Sequence, residues 1–285
     1  DKTPSPLTLA LEEEGIDVHY EDNIAYVPQD IESTLVVYTP AIPKDMGELV
    51  HVQEKGYRVI KRSKMLGEIS RGQRCMAVAG THGKTTTSTL VSHLFMASGE
   101  GCSAFLGGIS KNYDSNLLIH ANDVVVAEAD EFDRSFLQLF PEIAVITSMD
   151  PDHLDIYGTH EAVKEAFSQF IDRINAGGAL VIKQGVDVEI RNDKISCYRY
   201  AFNEPSDFYA TNLQLQPTGH YLFDIVTPFG MIEDCTLGIP GWVNVENAVA
   251  AVSLFILAAK AEGKVVDYDA LRSALASFSG VKRRF

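Results

Sequence analysis
The residues with the plainest chemical purpose are Gly80-Thr81-His82-Gly83-Lys84-Thr85-Thr86-Thr87. They lie between an apolar run, Cys75-Met76-Ala77-Val78-Ala79, and a segment of helical character from Thr85 to about Ser98. A glycine-rich turn there aims backbone N–H groups and a helix N-terminus at an anion, while lysine reaches the terminal phosphates. A hydroxyl directly after the lysine is a ligand for Mg2+. The strict Walker pattern needs a glycine where this chain has Val78, so the loop is a compact variant and a generic motor ATPase is disfavoured. The plain alternative is an ordinary loop with Thr85 as helix N-cap.

Three further groups follow buried strands or open a helix. Val124-Val125-Val126-Ala127 runs into Glu128-Ala129-Asp130-Glu131-Phe132-Asp133, where four of six residues are acidic. Such charges repel unless solvated or bound to a cation. Glu128, nearest the strand end, is the candidate Mg2+ ligand beside a bound triphosphate. Asp130, Glu131 and Asp133 read as supporting or structural, and a solvated acidic turn gives the same spacing. Ile146 to Asp155 follows another apolar strand, which puts His153 on the same sheet edge as Lys84 and Glu128. There it could complete a metal site, bridge to a metal-bound phosphate, or be structural. Asn244 and Asn247 open an alanine-rich helix on one face, as ligand donors or, for Asn244, as a cap. Lys282-Arg283-Arg284 is a phosphate clamp or a solvated chain end.

These residues need a framework to hold them. Leu35 to Tyr38 reads as a strand ended by Thr39-Pro40, Asp45 to Lys55 as a helix stopped by Gly56, and Tyr57 to Ile60 as the next strand. That is a Rossmann-like half lacking its opening strand. Arg71-Gly72-Gln73 reads as a linker, giving domains 1–72 and 73–285. Beyond it, buried strands at Cys75–Ala79, Asp123–Ala127, Ile143–Thr147 and Ala179–Ile182 imply a mostly parallel sheet, with a helix at about Glu161–Ile174. Between Ile195 and Leu237 period-2 runs broken by turns predict antiparallel strands, and helices return at Val243–Ala261 and Asp269–Phe278. The fold class is α/β: a partial Rossmann-like domain, then a P-loop ATPase-type domain with a mostly parallel central sheet and an additional antiparallel β region.

The chain has 285 residues, 46% of them apolar, and a formal net charge of −15. That charge argues against a general nucleic-acid or anionic-membrane binder, so any phosphate must be held by a local device. The longest apolar stretch, Ala248 to Ala259, is short of the roughly 20 residues of a membrane span, and the sequence leads us to expect no signal peptide. Cys75, Cys102, Cys197 and Cys235 lie far apart without metal-finger spacing, consistent with reduced core cysteines and a cytoplasmic protein. A start at Asp1-Lys2-Thr3-Pro4 and a stop at Arg284-Phe285 lead us to expect a piece of a longer protein.

Together the groups resemble the Mur ligase family. The resemblance runs over nearly the whole chain: Thr39-Pro40-Ala41-Ile42, Arg62-Ser63-Lys64-Met65-Leu66, Gly80 to Thr87, Glu128 to Asp133, Asp152-His153-Leu154-Asp155, Asn244 with Asn247, and Phe278 to Phe285. It implies an ATP-dependent ligase with an N-terminal UDP-sugar domain, a central ATP domain and a C-terminal amino-acid domain lying outside this sequence. Within the family it implies the branch joining L-alanine to the carboxylate of UDP-N-acetylmuramate through an acyl phosphate, with Mg2+ as cofactor. Carried over, Gly80, Thr81, His82, Gly83, Lys84, Thr85 and Thr86 cradle the triphosphate. Thr85, Glu128 and His153 serve metals, and Lys84, Glu128 and His153 are the catalytic set. Asn244 and Asn247 approach adenine and ribose, Arg283 or Arg284 the triphosphate, and Thr39, Pro40, Ala41 and His82 the UDP-sugar. Later branches share a carbamylated lysine after the histidine matching His153. Here that position is Ser168 and the nearest lysine is Lys164. That leaves the L-alanine branch and the branch that recycles a ready-made tripeptide. More distant rivals are a folylpolyglutamate synthetase, or a regulatory module that binds nucleotide without ligase turnover.

Overall fold
A computed structural model of the chain describes residues 3–150 and 157–282. The chain divides into two compact units, Asp1–Leu66 and Gly67–Phe285. In the first, helix α1 (Pro6–Glu13) is opened by Ser5, whose hydroxyl accepts from the Thr8 amide while the Thr8 hydroxyl accepts from the Ser5 amide. Strand β1 (Leu35–Tyr38), helix α2 (Gly47–Glu54) and strand β2 (Arg58–Lys61) form a parallel βαβ unit, Leu35 pairing with Arg58 and Tyr38 with Lys61. Asp22 supplies the cap that the chain next to α2 does not, its carboxylate accepting from the amides of Gly47 (2.7 Å) and Glu48 (2.9 Å). A small core of Leu49, Val52 and Tyr57 fills the unit.

Helix α3 (Arg62–Arg71) carries the chain across the boundary, so Arg71, expected in a linker, closes a helix instead. The second unit is built on β3 (Arg74–Ala79), β4 (Ser103–Ser110), β5 (Ser115–Leu118), β6 (Val124–Ala129), β7 (Ile143–Ile146), β8 (Ala179–Lys183), β9 (Ser196–Ala201), β10 (Phe208–Leu215), β11 (Tyr221–Thr227) and β12 (Gly230–Thr236). They make one sheet in the order β12-β11-β10-β9-β8-β7-β3-β6-β4-β5. From β10 to β4 every neighbouring pair is parallel, and only β11, β12 and β5 run antiparallel to their neighbours. The antiparallel region expected after Ile195 is therefore an extension of the main sheet, and β9 and β10 belong to its parallel part. The central strands read as unbroken apolar runs because helices cover both faces of a parallel sheet.

The helices are α4 (Lys84–Ala97), α5 (His160–Ile171), α6 (Trp242–Ala261) and α7 (Tyr268–Ser277). Helix α6 packs on α4 and on β7 through β11. By length and composition it could cross a membrane, unlike the shorter apolar stretch within it, but Val245 to Ala259 are all buried within the unit. A helix apolar all round is a core helix when protein surrounds it. Phe136, from the 3-10 segment Phe132–Gln138, stacks with Phe170 and meets Phe167 edge-on, seating α5. Cys75 and Cys102 are fully buried, and burial pushes each thiol up to about 12, so they serve as core packing.

Candidate active site
The phosphate loop joins β3 to α4. Gly80 has φ +129° and Gly83 φ +81°, backbone conformations that L side chains rarely adopt. A Cβ on Gly80 would overlap the Thr147 hydroxyl, and one on Gly83 would come within 2.8 Å of Asn247 Oδ1. Gly83, and not Thr85, is the N-cap of α4, and no side chain among the described residues caps it. The helix therefore presents its first N–H groups to the loop interior.

The loop rests on a strut whose residues belong to the Ile146 to Asp155 group but whose contact with the loop the sequence does not announce. Thr147, after β7, shares its one hydroxyl proton between the carbonyls of Ala79 (3.1 Å) and His82. The Ser148 hydroxyl accepts from the His82 amide at 2.8 Å and pairs with the Thr81 hydroxyl at 2.9 Å. Thr81 and His82 are thereby fixed while the His82 ring stays exposed, 3.6 Å from Asp150.

Two polar pairs face one another across the loop. The Lys84 ammonium donates to Glu131 Oε2 (2.7 Å), Glu131 Oε1 (3.0 Å) and the Gly80 carbonyl (2.7 Å). The Thr85 hydroxyl donates to Glu128 Oε1 at 2.9 Å, and Glu128 Oε2 accepts from the Gly107 amide at 2.8 Å. Burial raises the Glu128 carboxyl, against the opposing pull of the Thr85 hydroxyl, the Gly107 amide and the Lys84 charge, while Asp130 adds to the rise. A cation would relieve that cost. The donor set, a hydroxyl and a carboxylate, is the hard oxygen chemistry that Mg2+ takes together with phosphate and water. Among the described residues no three His, Cys, Asp or Glu side chains cluster as an all-protein metal cage. Thr85 and Glu128 thus fit a Mg2+ shared with a phosphate ligand.

Beside the loop lies an open groove of about 500 Å3, walled by Thr85, Thr86, Gly107, Gly108, Lys111, Asn244 and Lys282. Its far wall is strapped to β4. Lys111 N donates to the Gly280 carbonyl (2.9 Å), Lys282 N to the Ile109 carbonyl (2.8 Å), and Ser110 bridges to Val281. The Lys282 ammonium pairs with Asp114. Lys111 has no ion-pair partner among the described residues, and it belongs to none of the motifs picked out in the sequence.

Of the expected residues, the structure brings together Gly80 to Thr86, Glu128 and Asn247, with Asn244 on the groove. Asn244 does not cap α6; its amide donates to the Pro240 carbonyl at 2.6 Å. The Thr39-Pro40-Ala41 turn stands at the C-terminal end of β1, closed by the Ile42 amide donating to the Thr39 carbonyl at 3.1 Å. His153, Arg283 and Arg284 lie outside the described residues. Ser168 is buried in α5, and Lys164 pairs with Asp187 at 2.6 Å, so no lysine occupies the position that is carbamylated in the later branches.

A parallel sheet with a glycine-lysine-threonine loop after its central strand and a carboxylate ending the next one defines a phosphate-loop nucleotide protein. Residues 78–255 match the Mur ligase middle domain and residues 1–74 the Mur ligase family catalytic domain. The chain belongs to the Mur ligase family. It is 48% identical over 290 residues to a UDP-N-acetylmuramate–L-alanine ligase of Parabacteroides distasonis, covering 100% of this chain and 61% of the relative. The chain thus spans about 61% of the length of such relatives. Among solved structures it is similar to the UDP-N-acetylmuramate:L-alanyl-gamma-D-glutamyl-meso-diaminopimelate ligase of Neisseria meningitides (TM-score 0.80, 21% identity, 99% of this chain and 90% of that one). It is also similar to the UDP-N-acetylmuramate-alanine ligase of Thermotoga maritima (TM-score 0.76, 24% identity, 98% and 61%). At these identities both speak for the fold.

Proposed function
We propose that the full-length protein is an ATP-dependent ligase, cytoplasmic, that joins L-alanine to the carboxylate of UDP-N-acetylmuramate. The observation that carries this reading is a phosphate loop paired with a Thr85–Glu128 oxygen site, in a chain 48% identical along its whole length to a ligase of that name. In this reading residues 73–285 hold ATP and residues 1–72 the UDP-sugar, the Thr39 to Ala41 turn and His82 facing it. Asn244 and Asn247 meet the adenosine, and Arg283 or Arg284 the triphosphate. His153 serves a second metal.

The chemistry follows from charge. A carboxylate oxygen of UDP-N-acetylmuramate attacks the γ-phosphorus of ATP, ADP leaves, and an acyl phosphate forms. The L-alanine amine then attacks the acyl carbon, loses a proton, and the C–O bond to phosphate breaks, leaving an amide and inorganic phosphate. Phosphoryl transfer asks mainly for positioning and neutralisation. Lys84 and the N–H groups at the start of α4 meet the charge developing on the phosphoryl oxygens. Thr85 and Glu128 would hold Mg2+, which when bound supplies further neutralisation of the β- and γ-phosphates. In a chain of net charge −15 these local devices are what admits two anionic substrates.

The test is phosphate release by the full-length protein with Mg-ATP and UDP-N-acetylmuramate, offered L-alanine, glycine, L-serine or the stem tripeptide in parallel. Release that requires UDP-N-acetylmuramate and is fastest with L-alanine supports the reading. Release with the tripeptide in its place moves the protein to the recycling branch. ATP binding without acceptor-dependent release leaves only a nucleotide-binding module.

A further inference from the structure
The Lys84 ammonium is fully subscribed. It has three N–H donors, and three acceptors take them: Glu131 Oε1 at 3.0 Å, Glu131 Oε2 at 2.7 Å and the Gly80 carbonyl at 2.7 Å. Glu131 is 2% exposed and Lys84 13% exposed, so both charges are largely withdrawn from water. The backbone that carries the carboxylate is itself anchored. The Tyr157 hydroxyl donates to the Glu131 carbonyl at 2.6 Å, and the Arg134 amide donates to the same oxygen at 3.0 Å. A phosphate oxygen can gain Lys84 only by displacing one of the three.

We propose that Glu131 is a built-in competitor for the phosphate-binding lysine, a positioning residue that sets how tightly the loop holds a triphosphate. Its carboxylate presents to Lys84 the two anionic oxygens that a phosphate would present. It keeps the ammonium aimed, and it weakens nucleotide retention, which favours release of the diphosphate product. This rests on the reading that ATP binds at the Gly80 to Thr86 loop. The sign is what makes it specific: removing a group that merely supports the loop weakens ligand binding, whereas removing a competitor tightens it.

The experiment is calorimetric titration of the full-length protein with ATP, inorganic triphosphate and AMP, for the wild type, Glu131→Gln, Lys84→Ala and the double variant. Glutamine keeps the shape of the side chain and removes its charge. Glu131→Gln is expected to bind ATP and triphosphate at least about tenfold more tightly, the lower end of the worth of one charge-assisted hydrogen bond. AMP, without β- and γ-phosphates, stays unchanged. In the Lys84→Ala background the gain disappears, because the competition is for Lys84. Unchanged or weaker binding by Glu131→Gln, or a gain that survives without Lys84, overturns the proposal. ATP binding that ignores Lys84→Ala overturns the ATP reading of the loop itself, a separate result. Should Glu131→Gln fail to fold, Glu131→Asp, which shortens the reach to Lys84, is expected to give a smaller tightening of the same sign. Absence of that tightening overturns the proposal equally.

Discussion

The Glu128 carboxylate is shared between two elements: Oε1 accepts from the Thr85 hydroxyl at the start of α4, and Oε2 accepts from the Gly107 amide in β4. The carboxylate thus ties the phosphate loop to the strand on the far side of β6. A Cβ on Gly107 would overlap both of its oxygens. Gly107→Ala should therefore push the mobile end of Glu128 off Thr85 without disturbing a packed backbone. The expected outcome is a protein that melts within about 1 kcal/mol of wild type. Its turnover should fall at least about tenfold, with a higher Mg2+ requirement. A magnesium titration of phosphate release checks this, and a wild-type curve would separate Glu128 from the metal.

Lys111 faces the groove beside Thr85 and Thr86 as a cation without an ion-pair partner among the described residues. Lys111→Ala should weaken ATP binding about two- to fivefold, the range of one exposed charge contact. Melting should be unchanged, because the backbone strap to Gly280 does not use the side chain. Titration with ATP at low and high salt checks it, the difference shrinking as salt rises.

Arg74 opens β3 inside a polar knot. It pairs bidentately with Glu142 at 2.9 and 3.0 Å, reaches Glu262 at 2.6 Å and donates to the Ala258 carbonyl. Arg74→Met leaves Glu142 without its cation and Glu262 with Lys264 alone. It should cost about 3 kcal/mol, read by urea unfolding. Because the knot lies at the start of β3 and the phosphate loop at its end, the KM for ATP should stay near wild type.

His93, 5% exposed, accepts at Nδ1 from the Tyr113 hydroxyl (2.8 Å) and donates from Nε2 to the Ala274 carbonyl (3.0 Å), which fixes the neutral tautomer. Burial lowers its pKa from the ordinary 6.5, against a smaller rise from the Ala274 carbonyl. The folded protein therefore resists taking up the proton that the unfolded chain accepts. The stability tied to neutral His93 is complete above about pH 6.5 and is lost as pH falls from there through the lowered folded value. Melting curves between about pH 7.5 and 5 should show the wild type losing stability faster than His93→Gln. Parallel curves would show that His93 does not titrate.

The legible part of the fold was the part in which one strand, one turn and one helix carry their own signal. The runs Cys75–Ala79 and Ile143–Ile146, the Gly80 to Thr87 turn and the alanine-rich α6 are examples. Strand β4 escaped because Gly107-Gly108 interrupts it, yet those glycines are what let Glu128 and Val281 approach. The direction of β9 and β10 was not legible, since period-2 alternation fixes which face is buried and not which neighbour a strand joins. Within the site, Lys84, Thr85 and Glu128 could be found from type and spacing. The Thr147–Ser148 strut, the Lys111 wall and the Lys84–Glu131 pair could not, because each depends on side chains brought together from separate strands.

We propose that the loop around Lys84 drives transfer of the ATP γ-phosphoryl group to a substrate carboxylate. The most direct measurement uses the full-length protein with UDP-N-acetylmuramate labelled with 18O in its carboxylate, Mg-ATP and L-alanine, reading the mass of the released phosphate. One 18O per phosphate is expected in the wild type, since the attacking carboxylate oxygen departs with phosphorus, and no turnover in a folded Lys84→Ala variant. Unlabelled phosphate, or labelled phosphate released at near wild-type rate without Lys84, would contradict it.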